Sequence, residues 1–256
     1  SRLVPNEGNP EEFPAFARML ELIDALNRAF PEDYWIHRES TLVWNRLSFA
    51  WAQQGDFERA RLWAERSLAS RRKIREVHGD ANTARRDIVT VHRMIADQDM
   101  AGGQYDAALE RYRVEALPLM RELVADSPGD MRSRDDLAKG LLEYGRCLLI
   151  AGKGAEAITP LAEARIGWAD AVRRTDGDSR TDQKTTRHLL QTELALAEAY
   201  LAAEDVSAAR TAVDRAKRGI AEARSQWHES EQFRAFSDQA DTIRARCLES
   251  LGSLRD

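Results

Sequence analysis

The strongest constraint on the fold is a regular series of helix-breaking positions. Residues that end one helix and begin the next occur together three times, at Gly79-Asp80, Gly129-Asp130 and Gly177-Asp178. These aspartates are 50 and 48 residues apart, and Asp33 lies 47 residues before the first of them. A second series of breaks falls in between, with spacings of 48, 49 and 52, at Gly55, Gly103, Gly152 and Glu204. Together the two series predict a repeat of helix, turn, helix and turn.

The segments between the breaks have the apolar periodicity of amphipathic helices. In one of them, Phe57, Ala60, Trp63 and Leu68 share a face, and charged residues occupy the other side. With only 14 glycines and 7 prolines, and with Ala, Leu, Glu and Arg abundant, the composition favours helix over sheet. A single helix of this kind cannot bury its own apolar face, so stacked helix pairs are expected.

The repeats carry similar residues at matching positions. In the first repeat these are Trp44, Leu47, Ser48, Trp51, Gly55, Phe57, Ala60, Ala64 and Ser67. The later repeats keep the scheme with Ile95, Ala96, Gly103, Tyr105, Ala108 and Tyr112, then Tyr144, Gly145, Leu148, Gly152, Ala157, Leu161 and Ala164, then Leu196, Ala197, Tyr200, Val206, Ala209, Val213 and Ala216. This spacing resembles the tetratricopeptide repeat, in which large residues face small ones so that antiparallel helices approach closely.

The resemblance implies an all-α, right-handed α-α superhelical solenoid of about ten antiparallel helices. The period of 47–52 residues exceeds the usual 34 of the family and is similar to that of long-helix bacterial arrays found after serine/threonine kinase domains. We expect one array over 1–256, with a half-repeat at 11–30, full repeats at 33–79, 80–129, 130–177 and 178–226, and a capping helix at 227–256.

Two prolines and two cysteines lie inside predicted helices. Pro118 and Pro160 each remove a backbone hydrogen bond, so we expect local kinks there or a helix start displaced to Pro160. Cys147 and Cys247 lie among apolar residues, which is typical of buried thiols.

The sequence contains no catalytic or metal-binding motif that predicts an enzyme. None of the five histidines has metal-ligand spacing, and we expect no catalytic residue, metal or cofactor. A net charge of −5, with basic and acidic residues interleaved, gives no electrostatic case for nucleic acid. Membrane insertion is not expected either, because no apolar run approaches the roughly 20 residues that span a bilayer.

The resemblance implies a binding groove lined by the exposed positions of the first helices. Those positions are predicted at Asn45, Arg46, Phe49, Arg93, Asp97, Met100, Lys139, Leu142, Glu143, Arg146, Leu149, Gln191, Leu194, Glu198 and Leu201. The recurring basic residues favour an acidic or carboxylate-bearing segment. The alternative is a surface whose arginines and lysine pair with the acidic residues of the same face.

The leading functional hypothesis is a non-enzymatic scaffold that binds a protein or peptide in this groove. One alternative is a regulatory part of a larger bacterial enzyme, such as a serine/threonine kinase, because residues 11–30 align with a second helix that lacks its first. Another is self-association into a homo-oligomer through apolar residues of the end helices, at Phe13, Phe16, Met19 or Phe236. Unpaired cysteines favour a cytoplasmic location, with an extracytoplasmic sensor as the alternative.

Overall fold

The computed structural model describes residues 14–79, 81–174, 179–227 and 231–253, and all its regular elements in these ranges are helices. The chain forms two compact units, Ser1–Leu123 and Val124–Asp256. The N-terminal unit contains α1 (Pro14–Ala29), α2 (Tyr34–Gln53), α3 (Phe57–His78), α4 (Asn82–Ala101), α5 (Tyr105–Glu110), a π-helical segment (Arg111–Ala116) and the start of α6 (Leu117–Asp126). The C-terminal unit contains α7 (Met131–Ile150), α8 (Gly154–Arg174), α9 (Ser179–Ala202), α10 (Val206–Trp227) and α11 (Glu231–Ser253). With α5, the π-helical segment and α6 counted as one helix, the described ranges hold ten helices, which confirms the all-α prediction.

The turn inside each repeat has the same backbone geometry. The second series of breaks adopts the left-handed conformation throughout, with φ of 81°, 76°, 74° and 61° at Gly55, Gly103, Gly152 and Glu204. In every case the next residue donates its N–H to a carbonyl five residues earlier, as in Asp56 to Trp51 at 3.0 Å and Asp205 to Tyr200 at 2.9 Å. This bond closes the last helical turn and reverses the chain after a short loop.

Aspartate side chains begin several of the helices. The carboxylates of Asp33, Asp56, Asp130 and Asp205 accept hydrogen bonds from backbone N–H groups of the first turns of α2, α3, α7 and α10. Such caps satisfy amide groups that have no partner inside the helix. Gly79, with φ of 92°, ends α3 as predicted. The predicted junction residues Asp80, Gly177 and Asp178 lie outside the described residues.

Within each unit, helices that follow one another in the chain pack together, with large side chains against small ones. In the N-terminal unit, Trp44, Leu47, Trp51 and Trp63 form a buried cluster. In the C-terminal unit, Gly145 of α7 faces Leu161 of α8, which is completely buried. A β-carbon at this glycine would overlap the leucine side chain, so the absence of a side chain sets how closely α7 and α8 approach.

The prolines are accommodated in two different ways. Pro118 is the second residue of α6 and follows the π-helical segment. This segment shifts the register of the backbone hydrogen bonds just before the proline. Pro160 lies inside α8, which already begins at Gly154, so the alternative of a helix start displaced to Pro160 is wrong. The helix starts earlier because Ala157 is buried in the core and donates its N–H to the carbonyl of Lys153 at 3.3 Å.

The end helices bury most of the residues predicted for self-association. Phe16 of α1 and Phe236 of α11 are buried, so the expectation that they are exposed is wrong, and Met19 is half-buried. Their rings lie in the core because α1 contacts α2 and α11 contacts α9 and α10. Phe13 lies outside the described residues. The large apolar residues exposed on α1 and just after it are Leu22, Leu26 and Phe30.

Replacing Gly145 with alanine tests the close approach of α7 and α8. An exposed helical glycine normally gains stability on this change. Here the added methyl group overlaps a side chain that has no space to move, so we expect a loss of about 1–3 kcal/mol in the free energy of unfolding. Gly129→Ala is the control, because no atom lies within 4 Å of its added β-carbon. Urea unfolding followed by circular dichroism measures both, and a more stable Gly145→Ala protein contradicts the packing.

Replacing Glu204 with glycine tests the left-handed turns. Glu204 is the one non-glycine residue with positive φ in the described part of the chain. Its β-carbon crowds the backbone in that conformation, so Glu204→Gly is expected to raise the free energy of unfolding by up to about 1 kcal/mol. Glu204→Ala keeps the β-carbon and is expected to give no such gain in the same unfolding assay.

Candidate functional site

A pocket of about 270 Å³ lies on the first helices of the C-terminal unit. We call it the first-helix pocket. Its walls come from α7, α9 and α11, with Arg146, Leu149, Ile150, Gln191, Ala195, Glu198, Phe236 and Gln239. Because α7 contacts α9 and α9 contacts α11, the pocket follows three successive first helices.

The first-helix pocket combines a positive charge with apolar surface. Arg146 is exposed and has no hydrogen bond or ion pair among the described residues. Ile150 is 57% exposed, and Leu149 and Phe236 add apolar surface to the lining. Glu198 accepts a hydrogen bond from Gln239 Nε2 at 2.9 Å, which occupies part of its carboxylate. Arg146 is therefore the charged group of the lining that has no hydrogen-bond partner among the described residues.

The residues predicted for the groove on α7 and α9 divide into two groups. Arg146 and Glu198 lie six residues before their turn, and both line the pocket together with the predicted Leu149 and Gln191. Leu142 and Leu194 lie ten residues before their turn and are 3% and 1% exposed. The expectation that these two leucines are exposed is wrong, because side chains in this register face the contacts between neighbouring helices.

Two other predicted groove residues, both on α7, form an ion pair with each other. Lys139 Nζ lies 3.7 Å from Glu143 Oε1, one helical turn away. This distance fits the alternative in which basic and acidic side chains of this face neutralise one another. Leu201, near the end of α9, is half-buried.

The corresponding residues of the N-terminal unit lie on α2 and α4. Phe49 is 62% exposed, and Arg46 and Asp97 are exposed as well. Asn45, Arg93 and Met100 are half-buried. Their role in binding remains a prediction.

The sequence did not point to the α11 side of the pocket. Phe236 and Gln239 form this wall. The predicted groove positions all lie on the first helices of the four full repeats, and α11 follows the last of these repeats. Ile150, at the end of α7, is not among the predicted positions either.

The N-terminal unit contains a buried polar network around Arg111, the first residue of the π-helical segment. Arg111 Nη2 donates to Glu65 Oε1 at 2.7 Å, and its Nε lies 3.8 Å from Asp99 Oδ2. Its Nη1 lies 3.4 Å from Nδ1 of the buried His92. Because a guanidinium only donates hydrogen bonds, this contact requires an unprotonated Nδ1 and therefore a neutral imidazole.

Burial, together with the smaller effects of the positive charges of Arg111 and Arg72, lowers the pKa of His92 to about 4. Burial also raises the pKa of Asp99, against the opposing effect of Arg61 and Arg111. Both groups therefore disfavour their charged forms in the folded chain.

Three further features bear on function. In the described ranges, no three His, Cys, Asp or Glu side chains come together in a way that could hold a metal ion. Cys147 and Cys247 are buried free thiols, as predicted. No helix in the described residues has a stretch that is long and apolar enough to cross a membrane.

Similarity to solved structures decides the kind of repeat. No protein-family model and no curated protein sequence matches the chain. Two crystal structures of a Podosopora anserina protein, described as a kinesin light chain with nearly identical TPR-like repeats, superpose with TM-scores of 0.54 and 0.53. They are 20% and 18% identical to this chain, cover 83% of it, and are themselves covered over 91% and 92% of their length. The chain has a TPR-like fold.

BtubC (BKLC) from P. vanneervenii is also similar, with 18% identity, a TM-score of 0.46 and coverage of 84% of this chain and 91% of that one. At these identities the TPR-like relatives establish the fold alone. The prediction of a tetratricopeptide-like helical repeat is confirmed, and the bacterial, kinase-linked subtype remains a prediction.

The pKa of His92 predicts how the TPR-like fold responds to acid. Between pH 6.5 and about 4 the unfolded chain binds a proton at this side chain that the folded chain does not. The free energy of unfolding is therefore expected to fall by about 3 kcal/mol as the pH drops through this window, and to be insensitive to His92 above it. Urea unfolding at several pH values measures the slope.

His92→Asn supplies the matched comparison, because its amide oxygen can accept the hydrogen bond of Arg111 but does not titrate. The variant is expected to lose most of the slope that His92 causes. Burial lowers the pKa of His188 as well, so His92→Asn is expected to keep the part of the slope that His188 causes. The double variant with His188→Asn is expected to lose that part too. An unchanged slope in His92→Asn contradicts the assignment.

Proposed function

We propose that this protein is a non-enzymatic scaffold that binds a peptide segment of a partner protein in the first-helix pocket. The observation that carries the proposal is the exposed guanidinium of Arg146, which has no ion pair with any residue that the structure describes and lies beside apolar surface from three successive first helices. The TPR-like fold supports the same conclusion, because stacked helix pairs present continuous surfaces that suit extended or helical segments.

The pocket fits a segment with one carboxylate and one apolar side chain next to it. A carboxylate can form two parallel hydrogen bonds with a guanidinium, which fixes its orientation. An apolar side chain can bury itself against Ile150, Leu149 and Phe236, where it would displace water from exposed carbon atoms. The carboxylate can come from Asp, Glu or a chain terminus.

Peptide selection with the full chain tests this function. A library of random peptides is screened on the immobilised protein, and selected peptides are titrated in solution by fluorescence anisotropy. We expect an acidic residue or a free C-terminal carboxylate next to an apolar residue in the selected peptides. Arg146→Glu is expected to weaken binding at least tenfold, about 1.4 kcal/mol, because it replaces the pairing charge with a repulsive one.

Arg210→Glu is the matched control. Arg210 is an exposed arginine of the second helix α10, with no hydrogen bond or ion pair among the described residues, and it does not line the first-helix pocket. The same charge reversal there is expected to leave the affinity unchanged. Equal affinity of wild type and Arg146→Glu for the selected peptides would rule out the pocket, and the selection of no peptide would argue against the scaffold function.

A further inference from the structure

The first-helix pocket carries a negative charge as well as a positive one. Glu198 of α9 lines it together with Arg146 of α7, and the two helices contact each other. The two side chains occupy the same register of neighbouring first helices, since they lie six residues before the left-handed residues Glu204 and Gly152. A ligand that fills this pocket therefore meets a carboxylate and a guanidinium at the same time.

Neither charge is neutralised within the parts of the chain that the structure describes. Arg146 and Glu198 do not pair with each other there, and neither forms an ion pair with another described side chain. By contrast, the neighbouring Glu193 on α9 accepts a hydrogen bond from Arg215 Nε at 2.9 Å. The pocket thus keeps two opposite charges apart from each other and leaves both to a ligand.

The carboxylate of Glu198 is held in place from α11. Its Oε1 accepts a hydrogen bond from Gln239 Nε2 at 2.9 Å, and Gln239 also lines the pocket. Because an amide carries no charge, this bond orients the carboxylate without cancelling its charge. An ionised carboxylate has about four acceptor sites on its two oxygens, so further donors can bind it. A cationic donor forms the strongest hydrogen bond with such a group.

The spacing of the two charges limits the ligands that can pair with both. The axes of packed helices are about 8–10 Å apart, and Arg146 and Glu198 hold equivalent positions on two packed helices. In a free amino acid the ammonium and carboxylate groups are attached to the same carbon atom, so they do not span this distance. Residues two or three positions apart in an extended segment are separated by about 7–10 Å. The spacing therefore favours a segment of a protein over a free amino acid.

We propose that the first-helix pocket selects a segment of a partner protein that carries both charges: a carboxylate that pairs with Arg146 and, two or three positions away, a lysine or arginine that pairs with Glu198. This inference rests on the proposed peptide-binding function and names the class of segment that the site prefers. A segment with two acidic residues gains a favourable contact at Arg146 but is repelled at Glu198, so the pocket discriminates against it.

Three hexapeptides that differ at one position test the inference with the full chain. They are Gly-Glu-Leu-Leu-Lys-Gly, Gly-Glu-Leu-Leu-Gln-Gly and Gly-Glu-Leu-Leu-Glu-Gly, all blocked at both ends so that the termini carry no charge. Binding is followed by NMR through the backbone amide signals of the pocket residues Ile150 and Ala195. We expect the lysine peptide to bind about threefold to fivefold more tightly than the glutamine peptide, the effect of a partly exposed ion pair. The peptide with two glutamates is expected to bind most weakly.

Two variants show whether Glu198 causes this preference. Glu198→Gln removes the charge and keeps an oxygen that can accept the hydrogen bond of Gln239, so it is expected to bind the lysine and glutamine peptides equally. Glu222→Gln is the matched control, because Glu222 is exposed on α10, has no ion pair among the described residues and does not line the pocket. It is expected to keep the preference of the wild type.

Equal affinity of the wild type for the lysine and glutamine peptides would overturn the inference, as would a preference for lysine that persists in Glu198→Gln. Either result leaves the proposed function intact, because that function depends on Arg146 and on the peptide selection. The absence of saturable shifts with all three peptides also counts against the inference, and the peptide selection then decides separately whether the pocket binds peptides at all.

Discussion

The structure depends on a tight reversal between two helices that approach closely. Each reversal is closed by one residue in the left-handed conformation and one hydrogen bond across the last helical turn. Glycine fills this position three times, because it lacks the β-carbon that other residues would crowd against the backbone. The reversal places the second helix along the first, so the apolar faces of both are covered.

Close approach then decides which side chains remain on the surface. In the C-terminal unit, contacts between α7, α9 and α11 bury Leu142 and Leu194, and leave Arg146 and Glu198 in a pocket. The candidate peptide site is therefore a consequence of helix stacking: the register that faces the neighbouring helix is used for packing, and the register one turn closer to the loop stays accessible. An exposed arginine in that register becomes a candidate binding residue only because apolar surface surrounds it.

The N-terminal unit places polar groups at other positions of the repeat. His92, Asp99 and Arg111 occupy positions where the other repeats have mainly apolar residues, and they form a buried network next to the π-helical segment. Burying charge is unfavourable unless partners compensate it. The partners here are incomplete, because Asp99 Oδ2 accepts no hydrogen bond among the described residues. The same burial is the main cause of the acid sensitivity expected for His92.

The sequence by itself determined the helical class and the repeat. The spacing of Gly55, Gly103 and Gly152 was sufficient for this, because local backbone geometry fixes where a left-handed residue is needed. The sequence also contained one signal for the buried polar network: Asp99 is a charged residue at a repeat position where the other repeats have mostly apolar residues. Only the tertiary structure decided that Leu142 is buried, that Pro160 lies inside a helix and that Phe236 completes a pocket. These depend on which helices contact one another, and side chains far apart in the sequence decide that.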